Sequence, residues 1–520
     1  MHRPLKRLIA TAALLFTAAW AAVAAATPGL PSSNVAWLAA ATDADIARAF
    51  AQAKAQAKPV LLYWGATWCP PCNQLKATLF NRQDFAAQSK SFVAVHVDGD
   101  RPSAQKLGAR FKVGGYPTMI LFTPGGSEIT RLPGAVDAPQ VMALLQAGLA
   151  DGRPIAAVLA EARAGKPISA NEWRMLSFHS WEIDESGLVA RADRPAVLTE
   201  LASKSQAQGD VEVTTRLWLK ALAASDDGKG VKPDAALRQR VRGVLADPSL
   251  ARTHMDVLIG GASDMAKVLT DDDTAERALL VTQFDAALVR LQADTSLSRG
   301  DRVSALGERV GLARLGQPKE VTMPTLPPAL VQEVRDLSMR MDREITDPYE
   351  RMAVITAVAH MQGQAGLWTD SDALLKANLA KSHSPYYLMS QLGGNARKLG
   401  KTQEALRWYQ QAYEKSQGPA TRLQWGAGYV GALVDLAPAD AVRIEKAAAE
   451  VFADAAKDPG AFHDRSARSL QRVGKRLMSW NADGRQAASM KRLQAKLDSL
   501  CARVGTAEKV ACQALLQAKI

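Results

Sequence analysis

The 520-residue chain has little cysteine: Cys69, Cys72, Cys501 and Cys512 are all there is. Four cysteines cannot staple a scaffold of this size, so each close pair must be read for itself. Aromatic residues are only 6% of the chain and never interleave with a basic run. That disfavours nucleic-acid binding, even at a net charge of +12. The basic residues are scattered beside acidic ones and read as a solvated surface with mild attraction to anions. Beyond residue 26 no apolar stretch is long enough to cross a bilayer. The seven histidines are badly spaced as ligands, and no metal and no cofactor is expected.

The N-terminus is different in kind. Arg3, Lys6 and Arg7 precede an apolar and small-residue run from Leu8 to Ala26, which ends in Ala24-Ala25-Ala26. This is the pattern of a secretory signal cleaved near Ala26, and it implies a periplasmic protein. An uncleaved anchor is the competing reading, because about 19 residues nearly span a bilayer. The remaining length exceeds one hydrophobic core, so at least two domains are expected.

Residues 35–150 alternate helix and strand signals. A helix is predicted over 43–57 behind Thr42, stopped by Lys58-Pro59. Val60 to Trp64 reads as a buried strand. A helix follows from Pro70 to about Phe80. Strands are predicted at 92–97, 118–122 and 127–132, with helices at 103–111 and 137–149. Pro124-Gly125-Gly126 makes the hairpin turn. The order defines an α/β sandwich around a central mixed sheet.

From 152 to 520 strand signals disappear, and an all-α region is expected. Gly366 recurs as Gly400 and Pro385 as Pro419, a period of 34. Leu392-Gly393, Gly400, Ala405, Tyr409 and Ala412 have the spacing of a tetratricopeptide repeat. Gly209, Trp218 and Ala221 suggest an earlier copy, and 433–459 a degenerate one. The stretch from about 230 to 345 has no clear period. A repeat-like array offers an extended surface for a protein partner; a generic helical bundle is the alternative.

The chemistry rests on Cys69-Pro70-Pro71-Cys72 at a strand-to-helix junction. A Cys at a helix N-terminus feels the dipole and free N–H groups, which favour its thiolate. Cys72 lies one turn on, on the same face, and can resolve a mixed disulfide formed on Cys69. Pro70 and Pro71 stiffen the turn and remove two donors. A zinc site would need a second half, which is missing, and a permanent short-loop disulfide fits the context less well.

Residues 58–149 resemble the thioredoxin superfamily, in particular the periplasmic group that includes the C-terminal domain of the electron carrier DsbD. The resemblance rests on Lys58 to Trp64, Thr67-Trp68-Cys69-Pro70-Pro71-Cys72, Val97-Asp98, Gly115-Tyr116-Pro117-Thr118 and Pro133-Gly134-Ala135. It implies a cis Pro117 beside the cysteines, with Tyr116 free to pair with an extended substrate. It also implies that Trp68 is an aromatic platform. Two positions depart from the pattern. Tyr63 stands where a buried Asp would handle protons, and Ala94 replaces its partner Lys.

Cys501 and Cys512 flank Gly505 in an expected helix–turn–helix, where a structural disulfide would pin the last helix. A second redox pair is the sharper alternative. The whole chain then reads as a thiol–disulfide oxidoreductase acting on cysteine-containing protein substrates, with a membrane electron donor if it reduces them. The alternative is a protein-binding scaffold in which the redox domain is accessory.

Overall fold

The computed structural model describes residues 34–517, apart from residues 135–136, 182–186, 226–229, 273 and 319. The expected signal segment and Ala135 lie outside the described residues.

Five strands form one sheet: β1 (Leu38–Ala40), β2 (Val60–Gly65), β3 (Val93–Asp98), β4 (Thr118–Phe122) and β5 (Glu128–Leu132), in the order β1-β3-β2-β4-β5. β1 and β2 run parallel to β3, while β4 is antiparallel to both β2 and β5. β2 is apolar at every position because both its faces are covered. Leu61 and Tyr63 enter one core, and Val60, Leu62 and Trp64 enter the other.

The helices of this part are α1 (Asp43–Ala55), α2 (Pro70–Leu75), α3 (Gln83–Gln88), α4 (Ala104–Phe111) and α5 (Ala138–Asp151). Thr42 caps α1 through a capping box with Asp45. Asp137 caps α5 by accepting the Gln140 N–H.

Three details differ from the sequence expectation. β1 is an extra edge strand, built on an Ala-rich triplet with no β-branched residue; pairing of Leu38 with Val95 overrides its weak propensity. α3 is an extra short helix anchored by buried Phe85. The helix expected from Pro70 to Phe80 keeps its course but changes type, since Lys76–Phe80 is π-helical.

From Ile155 onward the described residues are helical or connecting. The first group comprises α6 (Ile155–Arg163), α7 (Ala170–Phe178), α8 (Arg194–Ser205), α9 (Val211–Ala224), α10 (Ala235–Ala246), α11 (Pro248–Thr253), α12 (Met255–Leu269), α13 (Ala275–Ala293) and α14 (Arg299–Ala313). Its core is continuous with one face of the sheet, from Leu61 and Tyr63 through Leu145, Ile155 and Leu217 to Leu312. The change near residue 151 therefore separates two architectures that share one core.

A second core joins α14 to α15 (Pro328–Glu344), α16 (Pro348–Gln364), α17 (Trp368–Asn378) and α18 (Pro385–Lys398). A third joins α19 (Thr402–Lys415), α20 (Pro419–Leu436), α21 (Ala441–Ala455), α22 (Asp464–Trp480), α23 (Ala487–Cys501) and α24 (Thr506–Gln513). Gly209, Gly366 and Gly400 each turn one helix into the next at positive φ, where a side chain would be strained. At Gly393 a Cβ would lie 3.0 Å from the Tyr409 ring, so the glycine lets α18 and α19 close on each other.

Candidate redox site and its helical cover

β2 delivers the chain to the Ala66–Trp68 loop, and α2 begins immediately after it. Cys69 is the N-cap of α2, with Pro70 and Pro71 in the first turn, where a missing N–H costs nothing. The Cys72 N–H donates to Cys69 Sγ at 3.2 Å. Cys69 and Cys72 are joined in a disulfide with Cα atoms 5.2 Å apart. Asn73 fixes the turn by donating through its side-chain amide to the carbonyls of Thr67 and Cys69, both at 2.9 Å.

Tyr116–Pro117 is a cis peptide, and the Tyr116 ring lies 6.3 Å from that of Trp68. Tyr116 packs against the apolar cluster that contains Cys69 and Cys72. The structure therefore brings Trp68, Cys69, Cys72, Tyr116 and Pro117 to one end of the sheet. Cys501 and Cys512 lie apart from them. They link α23 to α24 inside the third core, with Cα atoms 5.6 Å apart.

The same domain holds a largely buried polar group around Tyr63 of β2. Tyr63 stacks on His96 at 5.2 Å and meets Phe80 edge-on at 4.7 Å. Burial pushes the Tyr63 hydroxyl above its ordinary range, and the nearby Asp98 charge adds to this. His96 is held neutral: burial, with help from Lys76 and Arg101, takes its pKa down to about 3. Asp98 is pushed up to about 6, first by burial and then by the neighbouring Asp100 charge. Lys76, one turn beyond Cys72, is lowered by burial, with Asp98 opposing the shift. Where a buried Asp–Lys pair was missing at Tyr63 and Ala94, Asp98 and Lys76 supply a carboxyl and an amine from other positions.

Neither cysteine faces water. Cys69 and Cys72 are each 2% exposed and Trp68 8%. Their cover is built by helices more than 300 residues away in the chain. Tyr386 and Met389 of α18 and Ala412 of α19 join the cysteine cluster, with Trp408 and Trp425 packed against it. The Trp68 ring stacks on Tyr387 at 5.9 Å and meets Trp425 edge-on at 6.2 Å. Arg465 of α22 places its guanidinium 4.4 Å from the Trp68 ring centre and 5.2 Å from that of Tyr116.

Polar contacts fasten the cover at its rim. Asp100 accepts from Trp68 Nε1 at 2.7 Å and from the Thr421 hydroxyl at 2.6 Å, so one carboxylate ties the aromatic platform to α20. Gly418 must lack a side chain, because a Cβ there would lie 2.6 Å from Asp100. The ring of His383 lies 3.0 Å from the Thr67 carbonyl, and Arg468 donates to the Gly114 carbonyl. On the far side of α2, Gln74 donates to Ser298 and Asp301 of α14. Lys76 sits 4.3 Å above the Tyr349 ring of α16.

Sequence reasoning missed Asp100, Tyr387, Trp425 and Arg465. Their only sequence signal is an unplaced charge in a loop, for Asp100, or an unplaced aromatic or charge on a predicted helix, for the other three, and the partner lies far away in the chain.

This sheet order, with a Cys-x-x-Cys at the start of α2 and a cis-proline beside it, defines a thioredoxin-like domain. Residues 46–149 match the family described as thioredoxin-like domain. Two proteins of Pseudomonas aeruginosa are similar. Thiol:disulfide interchange protein DsbD 2 is 34% identical over 120 residues, 22% of this chain and 20% of that protein. DsbD 1 is 31% identical over 114 residues, 21% and 19% of the two chains. The chain thus spans about a fifth of the length of these relatives. The solution structure of a thioredoxin from Thermus thermophilus shares 25% identity with a TM-score of 0.21, covering 23% of this chain and 90% of that one.

Among the described residues no helix is long and apolar enough to cross a membrane. Nor does any group of three or more His, Cys, Asp or Glu side chains have the arrangement of a metal site there.

Proposed function

We propose that the chain is a periplasmic thiol–disulfide oxidoreductase that reduces or isomerises disulfides of cysteine-containing proteins. The observation that carries this reading is the Cys69–Cys72 disulfide at the N-terminus of α2, within one apolar cluster with Trp68 and Tyr116 of the Tyr116–cis-Pro117 peptide. In the reducing direction, Cys69 thiolate attacks a substrate sulfur. The substrate S–S bond breaks, a mixed disulfide forms, and one substrate thiolate leaves. Cys72 then attacks Cys69 Sγ, the second substrate thiolate leaves, and the Cys69–Cys72 disulfide remains. Two electrons have moved to the substrate. A membrane electron donor would return them.

Trp68, Tyr116 and Pro117 form the substrate dock in this reading, while Pro70 and Pro71 shape the start of the active-site helix. In the closed arrangement Tyr387, Trp425 and Arg465 occupy that dock. A protein strand reaches Cys69 only when α18–α20 and α22 lift. The helical region is then a cover as well as a partner-binding array. This supports the oxidoreductase reading over a pure scaffold, in which nothing requires the array to seal the cysteines.

The test is trapping. In a Cys72→Ser protein, mixed disulfides with exported proteins should accumulate on Cys69 and vanish when Cys69→Ser is added. If they persist without Cys69, the reading fails. The reduction potential of the pair then fixes direction: about −270 mV indicates a reductant and about −120 mV an oxidant.

A further inference from the structure

The helix α22 carries Arg465, Arg468, Arg472, Lys475 and Arg476 at spacings of three and four, which puts a column of cations along one side. At one end Arg465 reaches the redox site, and its two terminal nitrogens are buried with no hydrogen-bond partner. At the other end the column borders a cleft of about 600 Å³ between α18, α20 and α22.

The cleft exists because α20 has little side chain there. A Cβ on Gly428 would meet nothing within 4 Å, and one on Gly431 would meet only Arg476 Nε, at 3.9 Å. Tyr409 and Trp425 give it flat apolar walls. Four cations line it, Arg397, Arg472, Lys475 and Arg476, against the single carboxylate of Asp435. That carboxylate is already shared, with Arg397 at 3.0 Å and Arg476 at 2.8 Å. Arg472 donates to the Ser469 hydroxyl at 2.9 Å. Among the described residues no carboxylate pairs with Arg472 or Lys475.

Clefts of this volume take small molecules rather than protein strands. The geometry points to a binding site for a small ligand that carries two acidic groups on a flat, apolar body. The acid groups pair with Arg472 and Lys475, and the body lies on the bare α20 backbone between Tyr409 and Trp425. The site shares Trp425 with the cover over Cys69–Cys72, but it does not depend on the proposed reaction.

The probe is naphthalene-2,6-dicarboxylate, titrated calorimetrically into the full chain, with naphthalene-2,6-dimethanol as its uncharged counterpart. The dicarboxylate should bind and the diol should not. Arg472→Ala with Lys475→Ala, two exposed positions, should weaken binding by about tenfold or more. Gly428→Leu keeps every charge and fills the floor of the cleft, and it should abolish binding. The proposal is overturned if the dicarboxylate shows no binding up to about 1 mM. It is equally overturned if the diol binds as well, or if Gly428→Leu leaves the affinity unchanged, since cation attraction without a cleft would then suffice.

Discussion

The molecule carries the same covalent bond twice, and the two surroundings have little in common. Cys69–Cys72 closes a three-residue step at a helix N-terminus, with a sulfur accepting a backbone N–H and with buried Lys76 and His96 and half-buried Asp98 in the same domain. Cys501–Cys512 joins two helices inside an apolar core with Leu497, Leu500 and Leu515. The first pair has what a sulfur needs to leave and return; the second has only packing. Burial alone does not separate them, since Cys501 is 2% exposed and Cys512 0%, much like the redox pair. The difference lies in what is buried with them.

The strongest way to break this comparison is to remove each bond in turn. The second pair pins α24 to α23, and the Leu515–Leu516 segment that follows packs on α22, where Gly474 leaves no room for a Cβ against the Leu515 backbone. Replacing Cys501 and Cys512 by Ser should cost about 2–4 kcal/mol in denaturant unfolding. Replacing Cys69 and Cys72 by Ser should cost less and abolish mixed-disulfide trapping. Equal losses of stability from both would erase the distinction.

The cover comes next. If reduction of Cys69–Cys72 proceeds through lifting of α18–α20, then Tyr387→Ala with Trp425→Ala should speed its reaction with dithiothreitol about tenfold, for roughly 1.4 kcal/mol taken from the closed state. Timed alkylation and mass spectrometry would read both pairs in one sample. The rate at Cys501–Cys512 should not move. An unchanged rate at Cys69–Cys72 would show that the cover does not govern access.

The same contrast explains what was legible in the sequence. The redox site is written locally: Cys69 and Cys72 are three apart, β2 is apolar throughout, and Pro117 precedes a strand. β1 was invisible because Leu38-Ala39-Ala40 has no strand propensity of its own and takes its shape from β3. The cover was invisible for a related reason. Tyr387, Trp425 and Arg465 are ordinary residues on helices until the fold brings Trp68 to them, and no period or motif encodes a contact across 300 residues. Helix identity follows from 3.6-residue patterning; which helix meets which does not.

A third measurement sharpens the electrostatic side of the comparison. Asp98 is pushed up to about 6 from an ordinary 3.8, so the folded state holds its proton more tightly than the unfolded chain. Its ionised form therefore opposes folding, fully above about pH 6 and not at all below about pH 4. Asp98→Asn should add about 1–2 kcal/mol at pH 7.5, a figure reduced for partial exposure, and nothing at pH 4. His96 has the opposite sign. Held down to about 3, it costs stability as pH falls below 6.5, because only the unfolded chain takes the proton. In the variant only the His96 slope remains, so acid denaturation should steepen between pH 4 and 6. A gain that is the same at both pH values would mean that Asp98 acts through packing.

The smallest effect tests the charged contacts of Glu508, on the helix that carries Cys512. Glu508 of α24 lies 3.1 Å from His463 Nε2 and 3.2 Å from Lys106 Nζ on α4, so it links the disulfide-pinned helix to the redox domain. The His463 contact, then the Lys106 contact, holds its carboxyl down to about 2. A depressed carboxylate stabilises above its ordinary pKa and loses that contribution as pH falls toward the folded value. Glu508→Gln should therefore cost only about 0.5 kcal/mol in thermal unfolding at neutral pH and low salt. The loss should fade in about 1 M salt, where the screening length is near 3 Å, and again below about pH 3. If it persists unchanged in both conditions, Glu508 contributes through shape, and the second pair sits in surroundings without any electrostatic link to the first.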